Sequence, residues 1–517
     1  MLRNSGRSLA SRLRLIAFLG LSLALPKTVA QTDCGDLLDA TAESAPGRCT
    51  TAADVTLTDN SSVTTVNLRN IQTVGGDLDL RGPALETLSG PSLTNITGDF
   101  TIQSSKLSQL EIPRLSGIGA DLFFELLKSP LNVVNLSLST IANDNDIVFV
   151  QSPNIQRIFL SVSPSTETGN RSLSIDSLYS LSALEIEGVQ FTTVNITATA
   201  ISSIPNIWPS AANKIQLYSL GLLGNLSVAV TSVQSSLILA GIGSPSANFP
   251  NLTTIGGDFN LIQTDTVDLS LPRLRSVAGG FTISLNDKLQ SVSVGAVEGI
   301  SDLAFANNSI LADIYFPELN TLDVLSLQYN DYMTSLDLQT WFPKLSQVSQ
   351  YITLQGQFDN LTFPNLQNGV GIKAPLITVV SSVELDCDAV RNEAIEKQAI
   401  VDISNFECTS GPKGSKPQVT GSQTRPTNPS STDNNGSNGG DKSATGKSST
   451  NIGAIVGGTI GCVVFLVAAL VLAWIFVRRR KPSVGGMQNA SNAVGGIEEN
   501  MGGIDDPGRE AGGISSK

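Results

Sequence analysis

The chain contains no histidine. A serine or cysteine nucleophile activated by an imidazole is therefore excluded, and so is every zinc site that uses one. No Gly-x-x-x-x-Gly-Lys-Ser/Thr phosphate loop appears either. Carboxylates remain. In Asn143-Asp-Asn-Asp146, Asp144 and Asp146 stand two apart, so on a strand they share a face and could act as acid and base on a polysaccharide. The same run also suits a polar turn or a weak calcium loop. Asp77, Asp99, Asp121 and Asp258 recur at equivalent places in a repeat. That regularity favours turn-capping hydrogen bonds, because a catalytic group should be unique. No catalytic residue, metal or cofactor is expected.

Other residue types point to binding. Only 5% of the chain is aromatic, yet Tyr315, Tyr329, Tyr332, Trp341 and Tyr351 fall within 37 residues. Tyr315 lies between the apolar Ile314 and Phe316 and should face outward, as should Tyr351 beside Ile352. Exposed aromatics suit sugar stacking or a protein contact, and packing between repeats is the alternative. Asn-x-Ser/Thr acceptors occur at Asn60, Asn95, Asn135, Asn170, Asn195, Asn225, Asn251, Asn307, Asn360 and Asn435. The net charge is −13 with dispersed basic residues, which argues against nucleic acid.

These residues are carried by a repeat. Leu78, Phe100 and Leu122 are spaced 22 apart, as are Leu237, Phe259, Phe281, Leu303 and Leu325. A fixed period of this size predicts a solenoid. Phe259-Asn-Leu261, Phe281-Thr-Ile283 and Leu303-Ala-Phe305 alternate with period 2, as strands do. Leu269-Ser-Leu271, Val292-Ser-Val294, Ile314-Tyr-Phe316 and Leu336-Asp-Leu338 form a second series half a unit later, so each coil has at least two strands. Ser, Thr, Val and Asn fill the units without a long amphipathic helix, which favours an all-β coil. The Gly-Gly or Gly-Asp before the first strand is expected to supply positive φ. Residues 51–386 have room for roughly 15 coils, about 70 Å of stacked strands. Between Asn143 and Ala211 the period fades, predicting irregular coils or a break between two sub-solenoids.

The ends differ in composition. Arg3, Arg7, Arg12 and Arg14, then Leu15 to Leu25 and Thr28-Val-Ala30, read as a signal peptide over 1–30. Cys34 and Cys49 (within 31–50) precede the coils, and Cys387 and Cys408 (387–408) follow them. Pairing within each end is the simplest of three arrangements, since the ends of a solenoid lie far apart, and it would make two disulfide caps. Residues 409–451 are a Ser/Thr/Pro/Gly-rich stalk. Residues 452–477 carry no charge and suffice for one transmembrane helix, with Arg478-Arg-Arg-Lys481 and a tail over 478–517 on the cytoplasmic side. A lipid-anchor signal is the rival, although its apolar tail should close the chain. Gly453, Gly457 and Gly461 could let two such helices pair into a homodimer. Cys462, also within the span, reads as a small apolar residue.

The Pro-x-Leu-x-x-Ile-x-Gly-Asp-Phe units, best seen at Leu93 to Ile102 and Pro250 to Ile283, the cysteine pair at each end and the stalk carry a resemblance. Over roughly residues 34–410 the chain resembles fungal cell-wall organisation proteins related to the sporulation-specific surface proteins, and through them the receptor L domains. The resemblance implies a parallel, right-handed β-helix, a role in wall integrity, no established enzymatic activity and usually a lipid anchor, from which this chain's basic cluster and tail depart. The expected function is that of a non-enzymatic, glycosylated surface protein contacting wall glycans or wall proteins. An adhesion or sensor receptor is the second reading, and a polysaccharide-acting enzyme using Asp144 and Asp146 the third.

Overall fold

The computed structural model describes residues 33–39, 48–142, 144–163, 169–363, 374–397, 399 and 402–418. The signal segment, Asn143, the acceptor Asn435, the stalk beyond residue 418, Gly453, Gly457, Gly461, Cys462, the apolar run 452–477 and the tail lie outside the described residues. Among the described residues no helix is long and apolar enough to cross a membrane.

A parallel β-solenoid forms because the 22-residue spacing returns an apolar side chain to the same place in every coil. Leu78 lies beside Phe100, and Phe100 beside Leu122. Leu237, Phe259, Phe281, Leu303 and Leu325 follow one another in the same way. Among the described residues these belong to a parallel sheet of 17 strands, the main sheet. It starts at Leu37–Leu38 and ends at Phe406–Thr409, so its ladder reaches into both cysteine-bearing ends. The second series of apolar pairs makes a second face: Asp268–Leu271, Ser291–Val294 and Asp313–Tyr315 pair in parallel. Leu338, expected in that series, instead opens the short helix Leu338–Trp341.

A third strand per coil was not legible in the alternation because it is only two residues long. Thr73–Val74, Asn95–Ile96 and Gly117–Ile118 stack in parallel just before the main strand, as do Ser232–Val233, Thr254–Ile255 and Ser276–Val277. One inward residue per strand is too short a pattern for period 2 to reveal. The coil is therefore three-sided.

Between Asn143 and Ala211 the main sheet runs on without a break: Leu122, Ile147, Leu173, Val194 and Ile215 are successive neighbours. The coil lengths there are 25, 26, 21 and 21 residues by these registers. Irregular coils are present and a division into sub-solenoids is not. The other two faces absorb the change, the second face being split into four sheets.

The interior is one apolar column running the length of the stack, with fully buried Phe100, Phe124 and Phe149 in sequence and Phe259 stacked on Phe281 at 4.6 Å between centroids. Open solenoid ends would expose this column. Cys34 pairs with Cys49 and Cys387 with Cys408, within each end as expected. At the second end the helix Cys387–Glu396, capped by the Asp386 carboxylate on the Ala389 N–H at 2.9 Å, buries Val390 and Ala394. Arg391 lies over the Phe406 ring, 5.7 Å from its centroid.

Candidate functional site

Asp144 and Asp146 are not set apart from the repeated aspartates. The Asp77 N–H donates to Asp54 Oδ1 (2.8 Å), Asp99 N–H to Asp77 Oδ1 (2.8 Å) and Asp121 N–H to Asp99 Oδ1 (3.0 Å). Asp146 continues the row, its N–H donating to Asp121 Oδ1 at 2.8 Å while its own carboxylate accepts from the Ser172 hydroxyl. Asp144 Oδ1 accepts from the Asn170 N–H at 3.1 Å. Both carboxylates thus join one coil to the next, as the turn-capping reading of the regular aspartates anticipates. In a later coil Asp258 Oδ1 accepts from the Gly280 N–H at 2.9 Å.

This row occupies the corner through which the chain enters the main strand, here the inbound corner. The glycines there do not serve the purpose the sequence suggests. None of the repeated pairs has positive φ. A Cβ on Gly98 would overlap Asp77 Oδ1, and one on Gly279 would overlap Asp258 Oδ1. Glycine is required there because the preceding coil's carboxylate fills the space of a side chain; at Gly256 and Gly257 the preceding coil's Gln234 and Ser235 carbonyls fill it instead.

Positive φ occurs instead at the outbound corner, immediately after the main strand or, at Ser219 and Gly241, one residue before its end. Gln151, Ser177, Ala198, Ser219, Gly241, Gln263, Leu285, Asn307 and Tyr329 occupy this place in nine successive coils, and eight of them are not glycine. In the coils from Gln263 onward the next residue points inward and is polar. Asn286, Asn308 and Asn330 form a buried amide ladder: Thr264 N–H donates to Asn286 Oδ1 (2.8 Å), Asn286 N–H to Asn308 Oδ1 (3.1 Å) and Asn308 N–H to Asn330 Oδ1 (3.0 Å). Their Nδ2 groups donate to the carbonyls of Leu261, Ile283 and Phe305 at 3.0 Å each. Ser284-Leu-Asn-Asp, Ala306-Asn-Asn-Ser and Gln328-Tyr-Asn-Asp, spaced 22 apart, were the available signal.

The aromatic cluster does not converge. Tyr315 is exposed on a second-face strand, and Tyr351 is exposed in the middle of the main-sheet strand Gln347–Gly356, beside Val324 and Leu376. Tyr329 and Tyr332 are exposed in the outbound corner. Trp341 is only 7% exposed, because the helix Leu338–Trp341 turns it into the core, and it cannot serve as a surface platform. Of the nine acceptor asparagines among the described residues, Asn60, Asn135, Asn170, Asn225 and Asn360 are exposed and Asn95, Asn195, Asn251 and Asn307 half-buried.

The main sheet's outer surface is different in kind. Its two outward rows, from Asn195 to Thr378 and from Thr197 to Val380, cross nine strands without one Asp, Glu, Lys or Arg. Every side chain in them is half-buried by its neighbours, so the surface is even. Carboxylates stand at both ends of the rows, Asp176 beside Thr197 and Glu407 beside Thr378, and charges line the inbound edge at Lys214, Asp258 and Asp302. Sequence reasoning placed polar residues outward on these strands but did not see that the rows lack charge, which requires the register of all nine.

No family model matches the chain, and no solved structure matches it. Three curated proteins are similar to it. One is the "Cell wall protein ecm33" of Schizosaccharomyces pombe, 24% identical over 45% of this chain and 49% of that protein. Another is a "Cell surface GPI-anchored protein" of Arthroderma benhamiae, 24% identical over 61% of this chain and 73% of the relative. The third is "Sporulation-specific protein 2" of Saccharomyces cerevisiae, 26% identical over 42% of each. The chain spans about half the length of the first of these. The resemblance drawn from the repeat units is to these same kinds of protein.

Proposed function

We propose that this chain is a non-enzymatic, glycosylated surface protein that contributes to the organisation and integrity of a fungal cell wall. The observation that carries this reading is the similarity to proteins named for the cell wall and cell surface, in a chain built as a disulfide-capped solenoid. The carboxylates that could have served catalysis hold successive coils together, which supports a binding role over turnover. Acceptor asparagines that are exposed or half-buried along the coils suit a glycan coat. The test is deletion of the gene followed by growth on wall-binding dyes. Hypersensitivity and altered wall composition are expected, and normal growth under wall stress would defeat the reading.

A second reading, a membrane-held adhesion or sensor receptor, is favoured by one feature: Arg478-Arg-Arg-Lys481 and 36 further residues follow the apolar run. The relative named as GPI-anchored favours the lipid anchor instead. A C-terminally tagged chain decides between them. Resistance to phospholipase with a protected tag supports a spanning helix, a plasma-membrane location and the receptor. Release by phospholipase with loss of the tag supports a lipid anchor and the structural role.

A further inference from the structure

We propose that the charge-free outer surface of the main sheet, between Asn195 and Thr378, docks an extended, uncharged β-linked polysaccharide along the solenoid axis. The inference rests on the wall reading above and assigns it a face and a ligand class.

Three observations carry it. The first is charge. In a chain of net charge −13, two outward rows across nine strands hold no ionisable carboxylate or cation. The second face, by contrast, points Glu185, Asp268 and Asp313 outward. A charge-free surface suits a partner without charge, because neither side must strip water from an ion.

The second observation is shape and repeat. Side chains stand in straight rows at one strand spacing, about 4.8 Å, over roughly 40 Å. Thr282, Ser284, Ser326, Gln328, Thr353 and Gln355 present hydroxyls and amides on three of these strands, with Ala304 and Ala306 on the strand between the first two. A polymer of identical sugars offers hydroxyls along its whole length, so individually weak hydrogen bonds can form at each polar strand and add through multivalency. A second copy of the chain fits less well. Protein interfaces concentrate buried aromatic and large apolar anchors, and here the larger apolar residues are Ile238, Ile262 and Val380, with Tyr218 the one aromatic.

The third observation is access. Among the described acceptor asparagines only Asn195, at one end, stands within these rows. Asn135, Asn225 and Asn360 lie on second-face strands, and Asn95 lies on a third-face strand. A glycan coat would leave most of the rows open, with Asn195 at one end and Asn307 at the outbound edge beside Ala306.

The surface can be closed with one substitution. Ile262→Thr turns Asn260-Leu-Ile into a glycan acceptor in the middle of the rows, and threonine suits a strand. The glycosylated full-length chain, solubilised in detergent, is sedimented with particulate β-glucan, with chitin and with an anionic polyuronate gel. Retention on a neutral polymer is expected, falling at least tenfold for Ile262→Thr and returning when the added glycan is removed enzymatically. That return excludes misfolding as the cause. Thr282→Glu should give a similar loss, and Tyr179→Ser, in the outbound corner, none. Retention that the two face variants leave unchanged would overturn the assignment and leave the wall reading standing. Absence of retention on neutral polymers, retention on the polyuronate alone, or self-association abolished by Ile262→Thr would also overturn it. A normal wall after gene deletion would overturn the wall reading itself.

Discussion

The inbound corner of the early coils and the outbound corner of the later ones bind one coil to the next with opposite chemistry. The inbound corner lies at the surface and uses carboxylates, each accepting the N–H of the equivalent residue one coil on, as from Asp54 to Asp77 to Asp99. The outbound corner turns a polar side chain into the core and uses neutral amides, Asn286 to Asn308 to Asn330. Water screens a column of stacked negative charges but is absent from the interior, where an unpaired ion would cost far more than any hydrogen bond returns. An amide supplies both a donor and an acceptor, so a buried column of asparagines leaves nothing unpaired. The backbone differs as well. Inbound glycines yield space to a carboxylate or a backbone carbonyl of the preceding coil, whereas outbound residues take a left-handed conformation that most of them do not favour.

The contrast is broken most severely at Asn308. Asn308→Ala removes the acceptor of the buried Asn286 N–H and the amide donor to the Ile283 carbonyl, while the Asn286 amide keeps its bonds to the Leu261 and Ser284 carbonyls. A loss of about 3–5 kcal/mol is expected from urea unfolding, since each orphaned buried group costs about 1–3 kcal/mol. Gly98→Ala should cost less, about 1–3 kcal/mol, by overpacking against Asp77 and the Gly76 backbone. Adding Asp77→Ala should recover part of that loss, and full additivity in the double-mutant cycle would show that the carboxylate is not what excludes a side chain. Asp99→Ala removes one half-buried hydrogen bond and should cost about 1 kcal/mol; a loss equal to that of Asn308→Ala would erase the distinction between the corners. Leu285→Gly should gain up to about 1 kcal/mol by relieving φ 59°, readable as a raised thermal midpoint.

The smallest effect concerns a carboxylate beside the outbound corner. Burial pushes the Asp176 carboxyl above its usual range, against a hydrogen bond from Ser177 that lowers it. A raised folded-state pKa means the ionised form weakens the fold at neutral pH, and that the fold gains as pH falls through that pKa. Asp176→Asn should therefore melt slightly higher than the parent at pH 7. The difference should close on acidification, once the parent carboxyl is protonated in both states. A gap that widened in acid would reverse the assignment.

The main ladder was legible because apolar spacing is its cause: a residue that must face the core in every coil repeats with the coil. Cysteine pairing followed from the same geometry. The conformation at Leu285 or Tyr329 was not legible, because residue type there does not announce positive φ. The glycine pairs suggested the reverse, since absence of a side chain signals either freedom or lack of room and the sequence does not distinguish them. Trp341 was misplaced because a single helical turn interrupts the strand alternation. The charge-free surface was hidden for a different reason. Its members lie 21 to 27 residues apart in coils of unequal length, so they line up only once the registers are known.

That inequality of coil length has a mechanical meaning. Along the stack, the chain climbs by one strand spacing per coil whether the coil holds 21 residues or 27. The hydrogen bonds between coils run along that same direction, so tension applied to the two ends loads them one row at a time. Under pull the solenoid would act as a reel, releasing one coil per step, about 22 residues or roughly 75 Å of extended chain. Longer coils would release more slack for the same opening, so the residues that look like sequence irregularities set the step length of an extensible tether.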